Sequence, residues 1–187
     1  MGLFSFFKRK TVPAQIPSPI PSREENPATT NSPDTTHIDR EHFMLQAPFE
    51  WKAVPSDQPL EFDFRNQTLP EQLIVTVLLA RERFSGLQLQ QVAEQLSNTR
   101  LNALARLSEG KVVASPVNFM RGSGQVEARC IARDDANKVQ YAWVIRVAPD
   151  KVVTVAITRF MIEEAAMPFD AYTGVIFDFL QVKNPGT

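Results

Sequence analysis

The side chains most able to do chemistry are few and scattered along the chain. His37 and His42 are its two histidines, Cys130 its one cysteine, and Asp134-Asp135 and Glu163-Glu164 its adjacent carboxylate pairs. Nucleophilic catalysis needs a base held beside a Ser or Cys. Both histidines fall at the end of a polar, proline-rich stretch, where no fixed geometry is expected. Cys130 falls inside a strand-like run, where a cysteine behaves as a small buried residue rather than a reactive thiolate. Neighbouring carboxylates in turns are ordinarily solvated, and nothing favours a glycosidase-like pair. Gly122-Ser123-Gly124 lacks the following Lys and helix of a phosphate loop. The Cys, His, Asp and Glu spacings form no metal-ligand cluster. The residues therefore read as non-enzymatic, with no catalytic group, metal or cofactor.

Charge and composition narrow the partner. The 187 residues carry 20 Lys plus Arg against 21 Asp plus Glu, a net charge of −1. The balance also holds beyond residue 47, with 15 basic and 16 acidic side chains. A nucleic-acid-binding domain shows a basic excess, so DNA and RNA are excluded as expected partners. A single cysteine excludes an intramolecular disulfide framework and fits a reducing compartment. No secretory leader is expected from Leu3 to Phe7, because the cations follow the apolar run instead of preceding it. The longest apolar run, Leu73 to Ala80, is far short of the roughly 20 residues that span a bilayer. A soluble, cytoplasmic protein follows, with peripheral contact at the inner membrane as an added expectation.

That added expectation comes from residues 1–10. Phe4, Phe6 and Phe7 followed by Lys8, Arg9 and Lys10 could seat rings at a bilayer boundary while the cations meet anionic headgroups. Gly2 is not followed by the Ser or Thr at position 6 that myristoylation favours; Phe6 stands there. The bland alternative is a short apolar start with no role. Residues 11–47, rich in Pro, Ser and Thr, read as a disordered linker that cannot bury enough apolar surface to order itself. The domain is then expected over 48–187.

Within it, Phe49 to Val54 reads as a strand ended by Pro55. Leu60, Phe62 and Phe64 alternate with Glu61, Asp63 and Arg65 as in a half-buried strand, and Glu71 to Ala80 is β-rich. Ser85-Gly86-Leu87-Gln88 has the form of a capping box. It opens a helix of about 22 residues, some 33 Å long, whose apolar positions include Leu89, Val92, Ala93, Leu96, Leu101, Leu104 and Leu107 and which stops at Gly110. Lys111 to Ser115 is β-prone. After the Gly122 to Gly124 turn, three strands follow in meander: Gln125 to Arg133, Lys138 to Ala148 and Lys151 to Ile162, with Pro149-Asp150 as one of the turns. Pro168 opens a second helix with an aromatic stripe of Phe169, Tyr172, Ile176 and Phe179.

The expected architecture is α+β: a twisted, mostly antiparallel sheet with both helices on one face. Val139, Tyr141, Trp143, Ile145 and Val147 should lie under the helices. Gln140, Ala142, Val144 and Arg146 should then line an open face, beside Arg129 on one neighbour and Thr154 and Thr158 on the other. Such a Gln, Thr, Arg and aliphatic mixture suits a protein partner, such as an apolar helical segment needing scattered hydrogen bonds. Coverage by the chain's own tail, or a merely tolerated mixed surface, is the competing reading. The expected partner-binding residues are Arg129, Gln140, Val144, Arg146, Thr154 and Thr158.

This element order, with Phe49-Glu50-Trp51 at its start and Phe169-Asp170-Ala171-Tyr172 to Phe179 at its close, resembles the PsbP-like fold. That group includes the photosystem PsbP proteins, the nuclear Ran-binding Mog proteins and bacterial DcrB-like proteins. The resemblance covers Phe49 to Val182, roughly 70% of the chain, and carries no strict signature motif. It implies a non-enzymatic binding protein. One bacterial branch, the Eag chaperones of type VI secretion, works as dimers that hold apolar effector helices on the open sheet face, which implies a secretion-associated chaperone or adaptor and a homodimer. The long N-terminal stretch departs from those compact chaperones. It points instead to a membrane-peripheral accessory protein tethered by its tip. Deleting residues 1–10 is then expected to lower co-sedimentation with anionic liposomes, and equal sedimentation of both forms contradicts the membrane role of the tip.

Overall fold

A computed structural model describes residues 35–161 and 168–183. The order is β1 (Thr35–Asp39), β2 (Phe43–Pro48), β3 (Trp51–Val54), β4 (Glu61–Asn66), β5 (Glu71–Leu79), α1 (Gly86–Leu107), β6 (Val113–Ala114), β7 (Asn118–Gly122), β8 (Gln125–Asp134), β9 (Val139–Val147), β10 (Lys151–Phe160), α2 (Phe169–Asp178) and β11 (Gln181–Val182). Eight strands form one sheet in the order β3-β4-β5-β10-β9-β8-β6, with β7 also paired to β8. β1, β2 and β11 form a second, small sheet. Every ladder between these strands is antiparallel. The α+β class, the antiparallel sheet and the two helices are as the sequence led us to expect.

Two expectations are corrected. The first concerns residues 35–47, which are not linker. Ile38 of β1 is buried in the core, and so are Phe43, Leu45 and Ala47, spaced two apart along β2 as a half-buried strand requires. Arg40 N–H donates to the Phe43 carbonyl at 2.9 Å and closes the β1–β2 hairpin. The second concerns the helices, which lie on opposite faces. The central strand β9 is buried on both sides, and its alternate residues enter two different clusters. Trp143, Ile145 and Val147 pack with Leu89 and Ala93 of α1. Ala142 and Val144 pack with Phe169, Tyr172, Ile176 and Phe177 of α2 and with the small sheet. A strand buried on both faces loses the polar–apolar alternation that would tell them apart.

Turn chemistry fixes the pairings. Ser123 and Gly124, both at positive φ (51° and 73°), make a two-residue loop between Gly122 and Gln125, the backbone a tight hairpin prefers. Pro149 and Asp150 make another, closed by Ala148 N–H to the Lys151 carbonyl at 2.9 Å. α1 begins where Gln88 Oε1 accepts the Ser85 N–H at 2.8 Å. It ends where Gly110, at φ 79°, donates back to the Ala105 carbonyl at 2.7 Å.

A buried polar cluster ties α2 to the sheet. Glu71 starts β5 and faces Arg159 near the end of β10, its register partner. The two form an ion pair whose side chains are almost wholly enclosed. Tyr172 Oη donates to Glu71 Oε2 at 2.8 Å, Asn66 Nδ2 donates to the same oxygen at 3.1 Å, and the Arg159 guanidinium lies 4.5 Å from the Tyr172 ring centroid. Burial first, and then the Glu71 charge, push the Tyr172 phenol well above the ordinary tyrosine range, so it stays protonated as a donor. Tyr172→Phe should therefore cost about 2 kcal/mol, the value of a hydrogen bond to a charged acceptor. Urea denaturation checks this, and an unchanged midpoint contradicts it.

Candidate functional site

The α2 side of the large sheet is closed. Val144 is 0% exposed, beneath α2 and the small sheet. Arg129 and Arg146 flank it on β8 and β9 and share the carboxylate of Glu127 through ion pairs. Arg146 also donates to the Phe177 carbonyl at 3.1 Å and to the Leu180 carbonyl, closing the C-terminal end of α2, where backbone acceptors lack helical partners. Arg129 reaches Asp178 Oδ1 at 2.7 Å. Burial works to lower the Arg129 pKa, but the hydrogen bonds and charges of Glu127 and Asp178 outweigh it and raise the pKa. Among the expected partner-binding residues, then, Val144 is core, and Arg129 and Arg146 hold the chain's own helix. Gln140 shares their face, half-buried beside Arg159 and Arg133.

Thr154 and Thr158 lie on the other face, and the hairpin explains why. A two-residue loop at Pro149–Asp150 pairs Val147 with Val152, and so Ile145 with Thr154 and Tyr141 with Thr158. The neighbours of Gln140, Ala142, Val144 and Arg146 are instead Arg159, Ile157, Val155 and Val153. A shift of one residue moves every side chain of a strand to the opposite face.

On that other face α1 packs over β8 and β9, leaving β10, β5 and β4 beside it. The register lays out three rows across this uncovered part. Glu61, Thr76 and Thr154 form one, Asp63, Ile74 and Ala156 the next, and Arg65, Gln72 and Thr158 the third, which continues to Tyr141 on β9. Thr154 is buried at 5% exposure; the other nine are half-buried. Phe160, beyond the third row, is 59% exposed. Val92 and Leu96 of α1 pack against the adjoining cluster and supply a wall. The result is an open trough whose middle row sets Ile74 and Ala156 beside the Asp63 carboxylate, with Thr, Gln, Glu and Arg side chains in the rows on either side and a helix along one edge.

Two polar atoms of the middle row are enclosed without a hydrogen-bond partner. Asp63 Oδ2 accepts from Gln72 Nε2 at 2.8 Å, while its Oδ1 is enclosed without a hydrogen-bond partner. Trp143, in the same row as Asp63, Ile74 and Ala156, has its indole N–H enclosed and unpartnered. Such groups cost about 1–3 kcal/mol each. Arg100 follows Leu89, Ala93 and Ser97, the buried residues of α1, at helical spacing, so it stands on the stripe that faces the sheet. It is half-buried, and desolvation pulls its pKa down to about 10.

The remaining groups do not converge on a reaction. Cys130 is enclosed at 2% exposure, donates to the Ser115 carbonyl at 3.3 Å, and has its thiol pKa raised by burial. Asp134 accepts two hydrogen bonds from Asn137, at 3.0 and 2.7 Å, within its turn. His37 stands on β1, and His42 in the turn to β2. Among the described residues no three His, Cys, Asp or Glu side chains come together as a metal site, and no helix is long and apolar enough to cross a membrane. A shallow cavity of about 300 Å³ lies between Arg40, Leu60 and Phe62. The tip residues Phe4, Phe6, Phe7, Lys8, Arg9 and Lys10, and the Glu163-Glu164 pair, lie outside the described residues. Sequence reasoning missed the Glu71, Arg159 and Tyr172 cluster, whose members are far apart in the chain. It also missed Arg100, whose place in the apolar stripe of α1 could have revealed it.

No family model matches this chain, and no curated protein matches it. Among solved structures, a crystal structure of a chain from Bacteroides thetaiotaomicron VPI-5482 is similar at TM-score 0.48 and 10% identity, over 78% of this chain and 46% of that one. The chain thus spans about half the length of that protein, and a likeness of this depth carries no inference about function.

The closed face has a direct consequence. Val144→Asp places a carboxylate in the sealed core, beside a cross-strand Arg129 already committed to Glu127 and Asp178, at a cost of several kcal/mol, and should unfold the domain. Thr158→Asp, in the trough, should keep its melting temperature within a few degrees. Circular dichroism melts of both variants check this, and a folded Val144→Asp protein contradicts the closed face.

Proposed function

We propose that the protein is a non-enzymatic binding module, a bacterial cytoplasmic chaperone or adaptor that holds a segment of another protein. The segment lies in the trough beside α1. The supporting observation is the asymmetry of the sheet: one face is sealed by α2 and the small sheet, while β10, β5 and β4 are left uncovered on the other. Size argues for the kind of occupant. Strands about 4.8 Å apart and residues about 3.3 Å apart give a footprint on the order of 14 by 14 Å. A single helix, about 10 Å across, fits that area, whereas a globular partner needs about 800 Å² on each side. Small ligands favour enclosed pockets, and the trough is open. Ile74 and Ala156 would meet the apolar stripe of the segment, while Thr76, Thr158 and Gln72 would satisfy its polar edges.

This reading agrees with the binding role implied by the resemblance to PsbP-like proteins, but moves the receiving surface to the opposite side of the sheet from the one first expected. It is tested by affinity purification of the full chain from its native cell, with partners identified by mass spectrometry. Thr76→Arg and Ala156→Arg should each lose a partner that wild type retains, while Val175→Arg on the outer surface of α2 should keep it. Partners retained by both trough variants overturn the proposal.

A further inference from the structure

The chain enters the domain beside the trough. Thr35 bridges to Phe49, and the next residue fixes the corner. Thr36 Oγ1 donates to the Phe49 carbonyl at 2.8 Å and accepts the Trp51 N–H at 3.0 Å. Trp51 opens β3, and Lys52 after it pairs with Arg65, heading the row that runs through Gln72 to Thr158. Residues 1–34 therefore join the domain at the edge of the sheet that carries the trough. From β3 to the middle of the trough is two strand spacings, on the order of 10 Å. Residues 11–34 are long enough to cover that distance with slack, since a coil of that length averages about 30 Å end to end.

Size and charge select the occupant. The footprint is far below the roughly 800 Å² that a free globular partner needs. A segment on the same chain needs less, because attachment supplies an effective concentration on the order of millimolar. The trough is also polarised along β4: Glu61 and Asp63 stand in the first two rows, Arg65 in the third, and Lys52 beside it. Asp63 has Arg65 as an ion-pair partner at 3.5 Å, whereas Glu61 forms no ion pair with any described residue. Phe4, Phe6 and Phe7 are the aromatic residues of 1–34, and Lys8, Arg9 and Lys10 follow them directly. An apolar block followed by cations matches an aliphatic floor that ends at an unpaired carboxylate.

We propose that residues 3–10 of this chain are the resting occupant of the trough. The Phe rings would lie over Ile74 and Ala156, with Lys8, Arg9 and Lys10 toward Glu61. The inference rests on the trough reading of the preceding subsection and adds a regulatory step to it: a partner segment binds by displacing the chain's own. Its apparent affinity is then reduced by the fraction of molecules in which the trough is free.

The test places a photoreactive residue at position 6 of the purified full chain and maps its crosslinks by mass spectrometry. Crosslinks within one chain to β5 and β10 are expected. Ala156→Arg should lower their yield about tenfold, by setting a cation against the incoming cations on the floor. Glu61→Lys should lower it about threefold, the size of an exposed ion pair, and Val175→Arg should leave it unchanged. In the capture from the native cell, the full chain with Phe4, Phe6 and Phe7 replaced by Ser should retain severalfold more partner than wild type. Crosslinks to other parts of the domain, none at all, or crosslinks between two chains that rise with concentration overturn the assignment of residues 3–10. An unchanged yield in Glu61→Lys overturns their orientation, and equal capture by the Ser variant overturns the regulatory step. The trough reading survives each of these results as long as Ala156→Arg still loses the partner. If Ala156→Arg loses neither the crosslink nor the partner, the trough reading falls and the resting occupant falls with it.

Discussion

Two residues, Pro149 and Asp150, set the register on which the rest of the domain depends. Their loop closes with Ala148 N–H on the Lys151 carbonyl and commits β10 to pair Val147 with Val152. From that pairing Val153, Val155 and Ile157 face α2 and complete a closed core. The same pairing sends Thr154, Ala156 and Thr158 to the α1 side. A loop one residue longer would exchange the two sets, burying threonines under α2 and exposing valines beside α1. The threonine-bearing trough and the sealed core are thus two consequences of one short turn.

Buried charge then fixes how α2 sits. Near its N-terminal end, Tyr172 donates into the Glu71 and Arg159 pair; at its C-terminal end, Arg146 holds the last carbonyls and Arg129 holds Asp178. Buried ion pairs of this kind add little net stability over apolar packing but are costly to break. They act here as position-setting contacts, pinning both ends of a short helix on the sheet. α1 has a different design. Its face to the sheet is apolar except for Ser97, which bonds its own helix at Ala93, and Arg100.

Much of the architecture was legible along the chain. The Ser85 to Gln88 capping pattern and the spacing from Leu89 to Leu107 gave α1, observed over Gly86–Leu107. The alternation from Gln125 onward and the turn residues gave β8, β9 and β10. What failed was the assignment of faces. β9 is apolar on both sides, so its pattern gave no direction, and Gln140 and Arg146 looked like an open surface when Arg146 was in fact reserved for carbonyls of α2. The stripe of α2 was read one residue too far: Phe177 and Leu180 are buried, while Phe179 is 47% exposed at the helix end. Residues 35–47 were hidden by the prolines before them, although Ile38, Phe43, Leu45 and Ala47 carried the spacing. The register, by contrast, could have been read from Pro149-Asp150 alone, since a two-residue loop leaves one pairing.

The account's central claim is that the trough beside α1, and not the α2 side, receives the partner. Site-specific photo-crosslinking in the native cell tests it most directly, with a photoreactive residue placed at Ile74 in the trough or at Val175 on the outer surface of α2. Crosslinks to a protein partner from position 74 and none from position 175 are the predicted result; crosslinks from 175 alone, or equally from both, would contradict the claim.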